Sequence, residues 1–168
     1  MTPRPRAAAA KPNDPAKPHV LAYTDGACLG NPGPGGWAFI LKHPASGKTL
    51  ERAGGQPDTT NNRMELTAVI NCLSTLSRPS TVDLYSDSKY VLDGLSQWLK
   101  SWKARGWKTA TKAPVKNNDL WKALDQLAAA HDLRTHWVRG HSGHPENERC
   151  DQLASAEAAN VQGVDPAL

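Results

Sequence analysis

Hydrophobic and polar positions along the chain fall into two periodicities, and each predicts a different set of elements. Short β-rich segments bounded by Gly, Pro or Ser are typical of strands, and they occur at residues 19–24, 37–42, 48–53, 81–86 and 133–139. Helical spacing and helix-end residues predict helices over 62–76, 88–99 and 118–131 and from Pro145 onward. Three strands come first, and helices then alternate with strands. The order predicts an α/β fold in which a mixed five-stranded sheet is flanked by helices.

The helix predicted over 62–76 carries an acidic residue on its apolar face. The buried stripe of this helix consists of Val69, Cys72, Leu73 and Leu76. Glu65 precedes Val69 by one helical turn, so it lies on the same stripe. A carboxylate on a core-facing stripe must be paired, protonated or bound to a metal ion. Thr60 or Asn61 is the predicted N-cap of the helix.

Length and composition favour one domain with a substantial core, since the chain has 168 residues and a net charge of +4. Residues 1–18 form a basic Pro- and Ala-rich segment predicted to be disordered, residues 19–160 the folded domain, and residues 161–168 a flexible tail. Three widely spaced cysteines argue against a disulfide framework. No apolar run is long enough to span a membrane. We therefore expect a cytoplasmic protein in a reducing compartment.

Residues 100–116, called here the basic segment, contain cations and no acidic residue. The six cations are Lys100, Lys103, Arg105, Lys108, Lys112 and Lys116. They alternate with Trp102 and Trp107, and Trp98 precedes them. Cations that bind phosphates and aromatic rings that pack on sugars or bases are typical of a nucleic-acid-binding surface. The alternative is that Trp98 and Trp102, four residues apart, are buried in the core, and both interpretations can hold together.

Four acidic residues, Asp25, Glu65, Asp87 and Asp151, are the candidates for chemistry. Singly, Asp25 with Gly26 suits a turn, Asp87 suits a helix N-cap, and Asp151 suits a solvated helix position. If the strands that precede Asp25 and Asp87 are neighbours, however, both carboxylates lie at one edge of the sheet. Such like charges need a cation, and oxygen ligands select Mg²⁺ or Mn²⁺.

A zinc site is the alternative for the second half of the chain. Its candidate ligands are His136, His141, His144 and Cys150. Their spacing fits none of the usual paired Cys and His patterns, so a structural zinc site is not expected. His141, in a Gly-rich loop, is better interpreted as a mobile side chain near the acids.

Long motifs in this chain resemble those of the type 1 ribonucleases H, particularly the bacterial single-domain enzymes. The matching segments are residues 24–36, 59–66, 85–88, 98–116 and 140–151. The resemblance implies a ribonuclease H-like fold and a catalytic domain over residues 19–160. It implies an endonuclease that hydrolyses the RNA strand of RNA/DNA hybrids and leaves 5′-phosphate and 3′-hydroxyl ends. It also implies a monomer with no obligate protein partner.

By position in the family, Asp25, Glu65, Asp87 and Asp151 would hold two Mg²⁺ ions, with Mn²⁺ as a substitute, and His141 would assist proton transfer or product release. The residues that would read the RNA strand are Cys28, Asn31, Asn61, Asn62 and Glu65. Thr60 and Asn117 would hold a DNA phosphate, and Trp98 would line the DNA channel. The basic segment, with Trp102 and Trp107, would grip the hybrid beside the cut.

Three positions depart from the family pattern: Asp58 stands where a basic residue is common, Lys89 where Gln is common, and Ala27 where Ser is common. Two other functions stay open from the residues alone. One is a hybrid-binding module without catalysis, and the other is a metal-dependent nuclease of the same broad fold that acts on DNA.

Overall fold

The structure, a computed structural model, describes residues 17–139 and 143–162. The predicted N-terminal tail lies outside the described residues except for Lys17 and Pro18, and so do the C-terminal residues after Gln162. His141 also lies outside them. Within the described ranges, no helix is long and apolar enough to cross a membrane.

A mixed sheet forms the centre of the domain, and the described residues contribute five strands to it. The strands are β1 (His19–Cys28), β2 (Gly33–His43), β3 (Lys48–Thr59), β4 (Thr81–Ser86) and β5 (Asp132–Trp137). Their order across the sheet is β3-β2-β1-β4-β5. The β1–β2 and β2–β3 pairs are antiparallel, whereas β1–β4 and β4–β5 are parallel. The predicted mixed sheet is therefore confirmed.

Helices cover both faces of this sheet. They are α1 (Asn61–Ser74), α2 (Lys89–Asp93), α3 (Leu99–Ala104), α4 (Asn118–Ala129) and α5 (Pro145–Gln162). A π-helical turn, Gly94–Trp98, joins α2 to α3 without a break, so the helix predicted over 88–99 is present but contains this turn and continues to Ala104. The turn lies against Trp121, since an added Cβ at Gly94 would lie 2.0 Å from its ring.

The hydrophobic core has two parts, one on each face of the sheet. The larger part packs α1, α2 and α4 against β1, β2 and β4, with Phe39, Leu84 and Trp121 among its fully buried members. On the opposite face α5 packs on β1–β3 through Cys150 and Ala154. Close approach of α5 requires glycine at position 36, where an added Cβ would lie 2.0 Å from the carbonyl oxygen of Ala154.

Strand ends differ from the prediction on the Gly-rich side of the sheet. β1 continues to Cys28 and β2 begins at Gly33, because Cys28 pairs with Gly35 across the antiparallel ladder. Asp25 therefore lies inside β1, and the prediction that it closes the strand is wrong. The parallel pairing of β1 with β4, by contrast, ends at Tyr23.

Candidate active site

Asp25 and Asp87 meet because two parallel strands place them at the same level. Tyr23 is the register partner of Tyr85, and each tyrosine stands two residues before one of the carboxylates. Parallel neighbours in a sheet are separated by about 4.8 Å. The adjacency of the two strands, which the sequence analysis assumed, is confirmed. Ser88, not Asp87, caps α2, because its hydroxyl accepts a hydrogen bond from the Val91 N–H at 3.2 Å.

Glu65 reaches the same place from α1. Thr60 is the N-cap of this helix, and its hydroxyl accepts a hydrogen bond from the Arg63 N–H. Glu65 lies one turn further along α1, on the side of the helix that faces the core, and only 4% of its surface is exposed. Carboxylate oxygens of Asp25, Glu65 and Asp87 all lie within 4.8 Å of one another. The predicted buried position of Glu65 is thus confirmed.

The backbone of Gly26 joins Glu65 to Asp25. Its N–H donates a hydrogen bond to Glu65 Oε1 and lies 2.9 Å from Asp25 Oδ1. Arg63 does not neutralise Glu65, because its guanidinium forms a pair of hydrogen bonds with Asp119 on the outside of α1. The two acids at the centre of the site therefore rely on a backbone amide and on each other.

Burial and mutual repulsion make this site electrostatically unfavourable for carboxylates. Burial raises the pKa of Asp25 to about 7; a hydrogen bond from Glu65 offsets part of this rise, and the Asp87 and Asp151 charges add to it. Burial, followed by the charge of Asp25, raises the pKa of Glu65 well above its usual range. A hydrogen bond between two carboxyl groups requires a proton on one of them. Divalent cations would replace that proton and relieve the repulsion.

Asp151 completes a polar cleft of about 320 Å³ at this edge of the sheet. It lies in the second turn of α5 and is half-buried. The lining of the cleft, called here the carboxylate cleft, is Asp25, Gly26, Ala27, Cys28, Asn61, Glu65, Asp87 and Asp151. The four predicted acids therefore share one cleft, with Asp151 outside the tight group of three. The roles of all four acids as metal ligands stay predictions, as does the role of His141 in proton transfer or product release.

The candidate RNA-reading residues surround one side of this cleft. Asn31, in the β1–β2 loop, accepts a hydrogen bond through Oδ1 from the Asn61 N–H at 3.0 Å. The Cys28 thiol lies 3.5 Å from the carbonyl oxygens of Gly33 and Thr59. Asn61 and Asn62 are exposed at the start of α1. Short polar side chains next to the carboxylates suit recognition of a 2′-hydroxyl, which both donates and accepts hydrogen bonds.

Asn117 is held in a fixed orientation beside the N-terminus of α1. Its backbone has φ 61°, in the left-handed region that Asn tolerates better than most residues. Its amide group donates to the Tyr90 hydroxyl at 3.1 Å and accepts from Arg63 at 3.2 Å. These contacts agree with a site that needs a firmly positioned amide, although contact with a DNA phosphate stays a prediction.

The tryptophans near the basic segment belong to an aromatic cluster that packs on the core. Its members are Tyr90, Trp98, Trp102, Trp107 and Trp121. Trp121 is fully buried, whereas the other four are half-buried. The prediction that Trp98 and Trp102 are buried in the core is met only in part, because both are half-buried and only Trp102 packs directly against the core. Their contact with substrate stays a prediction, and so does that of Trp107.

The cations of the basic segment are exposed on the outside of this cluster. Lys103 forms an ion pair of 3.3 Å with Asp125 of α4. No other lysine or arginine of the segment forms a salt bridge within the described residues. The other five cations of the segment are therefore exposed without a salt bridge, which agrees with the predicted phosphate-binding surface.

The zinc alternative finds no support in the described part of the chain. Cys150 is fully buried on the opposite face of the sheet from the core helix α1. The His136 ring bonds to Asp83 at 2.7 Å. His136 and Cys150 are thus engaged separately, His144 is exposed, and His141 lies outside the described residues.

Sequence reasoning missed two features near the cleft. The first is Gly26, whose N–H contacts both central acids, and only the Asp-Gly pair itself signalled it. The second is Trp137, which is 49% exposed at the end of β5. Trp137 ends a strand whose other residues are all half-buried, and no pattern in the sequence marked it as exposed. Lys89, noted as a departure, lies over its ring.

A mixed sheet with an acidic cleft at the ends of two parallel strands is the architecture of a metal-dependent nuclease. The family model described as RNase H matches residues 17–159. A ribonuclease H from Paramagnetospirillum magneticum is 59% identical over 143 residues, which cover 85% of this chain and 92% of that protein. A ribonuclease HI from Caulobacter vibrioides is 59% identical over 138 residues, 82% of this chain and 91% of the relative.

This chain is also similar to solved structures of ribonucleases H. LC9-RNase H1, a type 1 RNase H with the type 2 active-site motif, matches with a TM-score of 0.76 and 35% identity. The match covers 86% of this chain and 74% of that one. This chain belongs to the ribonuclease H family, and within it to the type 1 bacterial enzymes.

Proposed function

We propose that this ribonuclease H hydrolyses the RNA strand of RNA/DNA hybrids with two Mg²⁺ ions held by Asp25, Glu65, Asp87 and Asp151. The observation that carries the proposal is the meeting of three carboxylate oxygens within 4.8 Å in a cleft that the fourth acid also lines. The products would carry 5′-phosphate and 3′-hydroxyl ends.

The donor set fits hard divalent cations. Every titratable ligand candidate in the tight group is a carboxylate, and oxygen ligands favour Mg²⁺ or Mn²⁺ over Zn²⁺. Burial and, to a smaller extent, the charges of Asp87 and Asp151 raise the pKa of Asp25, and a bound cation would offset the cost of holding these charges together. When bound, such ions supply a stronger water nucleophile and stabilise negative charge on the phosphoryl and leaving oxygens.

The remaining residues bind and orient the substrate. Asn31, Asn61 and Asn62 would hydrogen-bond to 2′-hydroxyls of the strand that enters the cleft, a role supported by the exposure of Asn61 and Asn62 and by the contact between Asn31 and Asn61. Thr60 and Asn117 would hold a phosphate of the DNA strand, and Trp98 would face the same strand. His141 would move a proton or help the product to leave.

The basic segment would grip the hybrid beside the cut. Its exposed Lys100, Arg105, Lys108, Lys112 and Lys116 would each meet a backbone phosphate, with Lys103 contributing less because Asp125 already neutralises it. Contacts to the phosphate backbone add affinity without sequence preference. The enzyme would therefore recognise hybrid shape and the 2′-hydroxyl rather than base sequence.

We also propose a monomer in a reducing cytoplasm with no obligate protein partner. One chain supplies all the described lining of the carboxylate cleft. The three cysteines are free thiols, and two of them, Cys72 and Cys150, are buried. Unpaired buried thiols agree with a reducing compartment.

The deciding experiment is cleavage of four end-labelled substrates: RNA/DNA hybrid, duplex RNA, duplex DNA and single-stranded RNA. Each is incubated with Mg²⁺, with Mn²⁺ and with EDTA. Cutting confined to the RNA of the hybrid, and lost in EDTA, is the expected result. Hybrid binding without cutting in either metal would instead make the chain a recognition module. Cutting of duplex DNA would indicate a nuclease of different substrate class.

A further inference from the structure

Trp137 and Lys89 form an exposed pair beside the carboxylate cleft. The Lys89 Nζ lies 4.6 Å from the centroid of the Trp137 ring, which is within the range of a cation–π contact. Trp137 and Leu29 are the exposed large hydrophobic residues of the described chain, with 49% and 39% of their surfaces accessible. The exposed indole leaves a flat apolar surface open to a ligand beside the ammonium group of Lys89.

The pair lies on the side of the cleft opposite to the RNA-reading asparagines. Trp137 is the register partner of Ser86, the residue that precedes Asp87. The adjacent Val138 N–H donates to the Ser86 carbonyl at 3.0 Å, which ties the end of β5 to the end of β4. Cys28 and Asn61 line the cleft from β1 and α1. A strand that crosses from those residues over Asp87 continues toward β5.

Lys89 supplies positive charge at this point. It is exposed at the first position of α2, two residues after Asp87. It takes part in none of the salt bridges within residues 17–139 and 143–162. A cation held over an indole, without a carboxylate partner of its own, complements a phosphate next to an apolar sugar surface.

We infer that Trp137 and Lys89 bind the RNA strand beyond the cut, where the indole packs on a ribose and the ammonium pairs with the neighbouring phosphate. The inference rests on the proposed function, since it takes the strand in the cleft to be RNA. The pair acts as a positioning element. It touches the substrate outside the reacting bond and fixes the direction in which the strand leaves the cleft.

The test uses hybrids whose few ribonucleotides allow one cut position. Trp137→Ala should raise KM for the long hybrid at least about fivefold, the lower end of the range for losing one aromatic contact, with kcat little changed. The substrate is then shortened on one side of the cut and, separately, on the other. One truncation should remove the difference between Trp137→Ala and wild type, because the strand no longer reaches position 137.

Conservative variants separate contact from structure. Trp137→Phe should recover most of the KM, because it keeps an aromatic plane. Lys89→Gln should raise KM, and Lys89→Arg should restore it. Unchanged melting temperatures are expected, since both side chains are exposed. If Trp137→Ala fails to fold, the two Lys89 variants carry the same comparison.

Two results would overturn the inference: an unchanged KM on the long hybrid, or an equal rise on both truncated substrates. Hybrid affinity measured in EDTA with Asp25→Asn, alone and combined with Trp137→Ala, gives a readout that needs no catalysis. A weaker Kd in the double variant supports the pair even if wild type fails to cut. Failure of wild-type cutting would instead count against the proposed function.

Discussion

The backbone N–H of Gly26 donates a hydrogen bond to the carboxylate of Glu65, and glycine is the residue that allows this contact. An added Cβ at position 26 would lie 2.5 Å from the Glu65 nitrogen and 2.6 Å from the carbonyl carbon of Met64. Backbone atoms of a helix cannot yield as a flexible side chain can. Because Gly26 has no Cβ, α1 can lie this close to β1, and this spacing sets the position of Glu65.

Gly26→Ala should push α1 away from β1. We expect a loss of about 1–3 kcal/mol in the free energy of unfolding, the range for overpacking a tight core site, together with a large fall in kcat. Urea denaturation and hybrid cleavage measure the two effects. Gly47→Asn is the matched control, because nothing lies within 4 Å of its Cβ position and Asn tolerates its φ of 76°. Equal stabilities of the two variants would refute the packing explanation.

Asp25→Asn should reduce kcat/KM on the hybrid at least about a thousandfold, because it removes a central ligand and a charge from the metal site. The fold should persist, since the substitution relieves repulsion around Glu65. Circular dichroism and melting temperature check the fold, and calorimetric titration checks metal affinity. Asp93→Asn, a half-buried acid outside the cleft, is the control. Substantial cleavage by Asp25→Asn would exclude the metal assignment.

Neutralising Lys100, Lys103 and Lys108 to Gln should weaken hybrid binding and its dependence on salt. Each phosphate contact contributes about 0.9 to the slope of log K against log salt concentration. We expect the slope to fall by about one to three, and Lys103 to account for least because of its pair with Asp125. Lys48→Gln, at the start of β3 on the far end of the sheet, is the control. A slope equal to wild type would remove the segment from the binding surface.

Asp83 should stabilise the fold above about pH 4. Burial raises its pKa, but hydrogen bonds from His19, His136 and Arg134 together outweigh burial and lower the pKa to about 2. The folded-state pKa is lower than the unfolded one, so the stabilisation is present above the unfolded value and disappears as pH falls through about 2. The shift corresponds to about 2 kcal/mol for a side chain that is 9% exposed.

Asp83→Asn should therefore lower the free energy of unfolding by about 2 kcal/mol at pH 7, with the difference shrinking toward pH 2. Chemical denaturation across this pH range measures it. Asp119→Asn provides the comparison, because its pairing with Arg63 is on the surface, where such pairs contribute about 0–1 kcal/mol. A constant difference between Asp83→Asn and wild type at all pH values would contradict the ionic explanation.

Periodicity alone was sufficient to predict most strands and helices and the burial of Glu65, because each depends on local sequence. The meeting of Asp25 with Asp87 depends on the order of strands, which one sequence does not encode locally. The π-helical turn likewise arises from a distant contact between Gly94 and Trp121. Gly26 was missed as a contact for the same reason, since its restraint comes from the backbone of α1.

The aromatic cluster has a consequence for the thermodynamics of binding. Trp102 and Trp107 pack on the core, and the chain returns at Val115, whose N–H donates to the Trp107 carbonyl at 3.0 Å. A surface anchored in this way loses little conformational entropy when a duplex docks on it. Hybrid association should therefore be fast and governed by charge, and loosening the cluster should lower affinity even with every lysine in place.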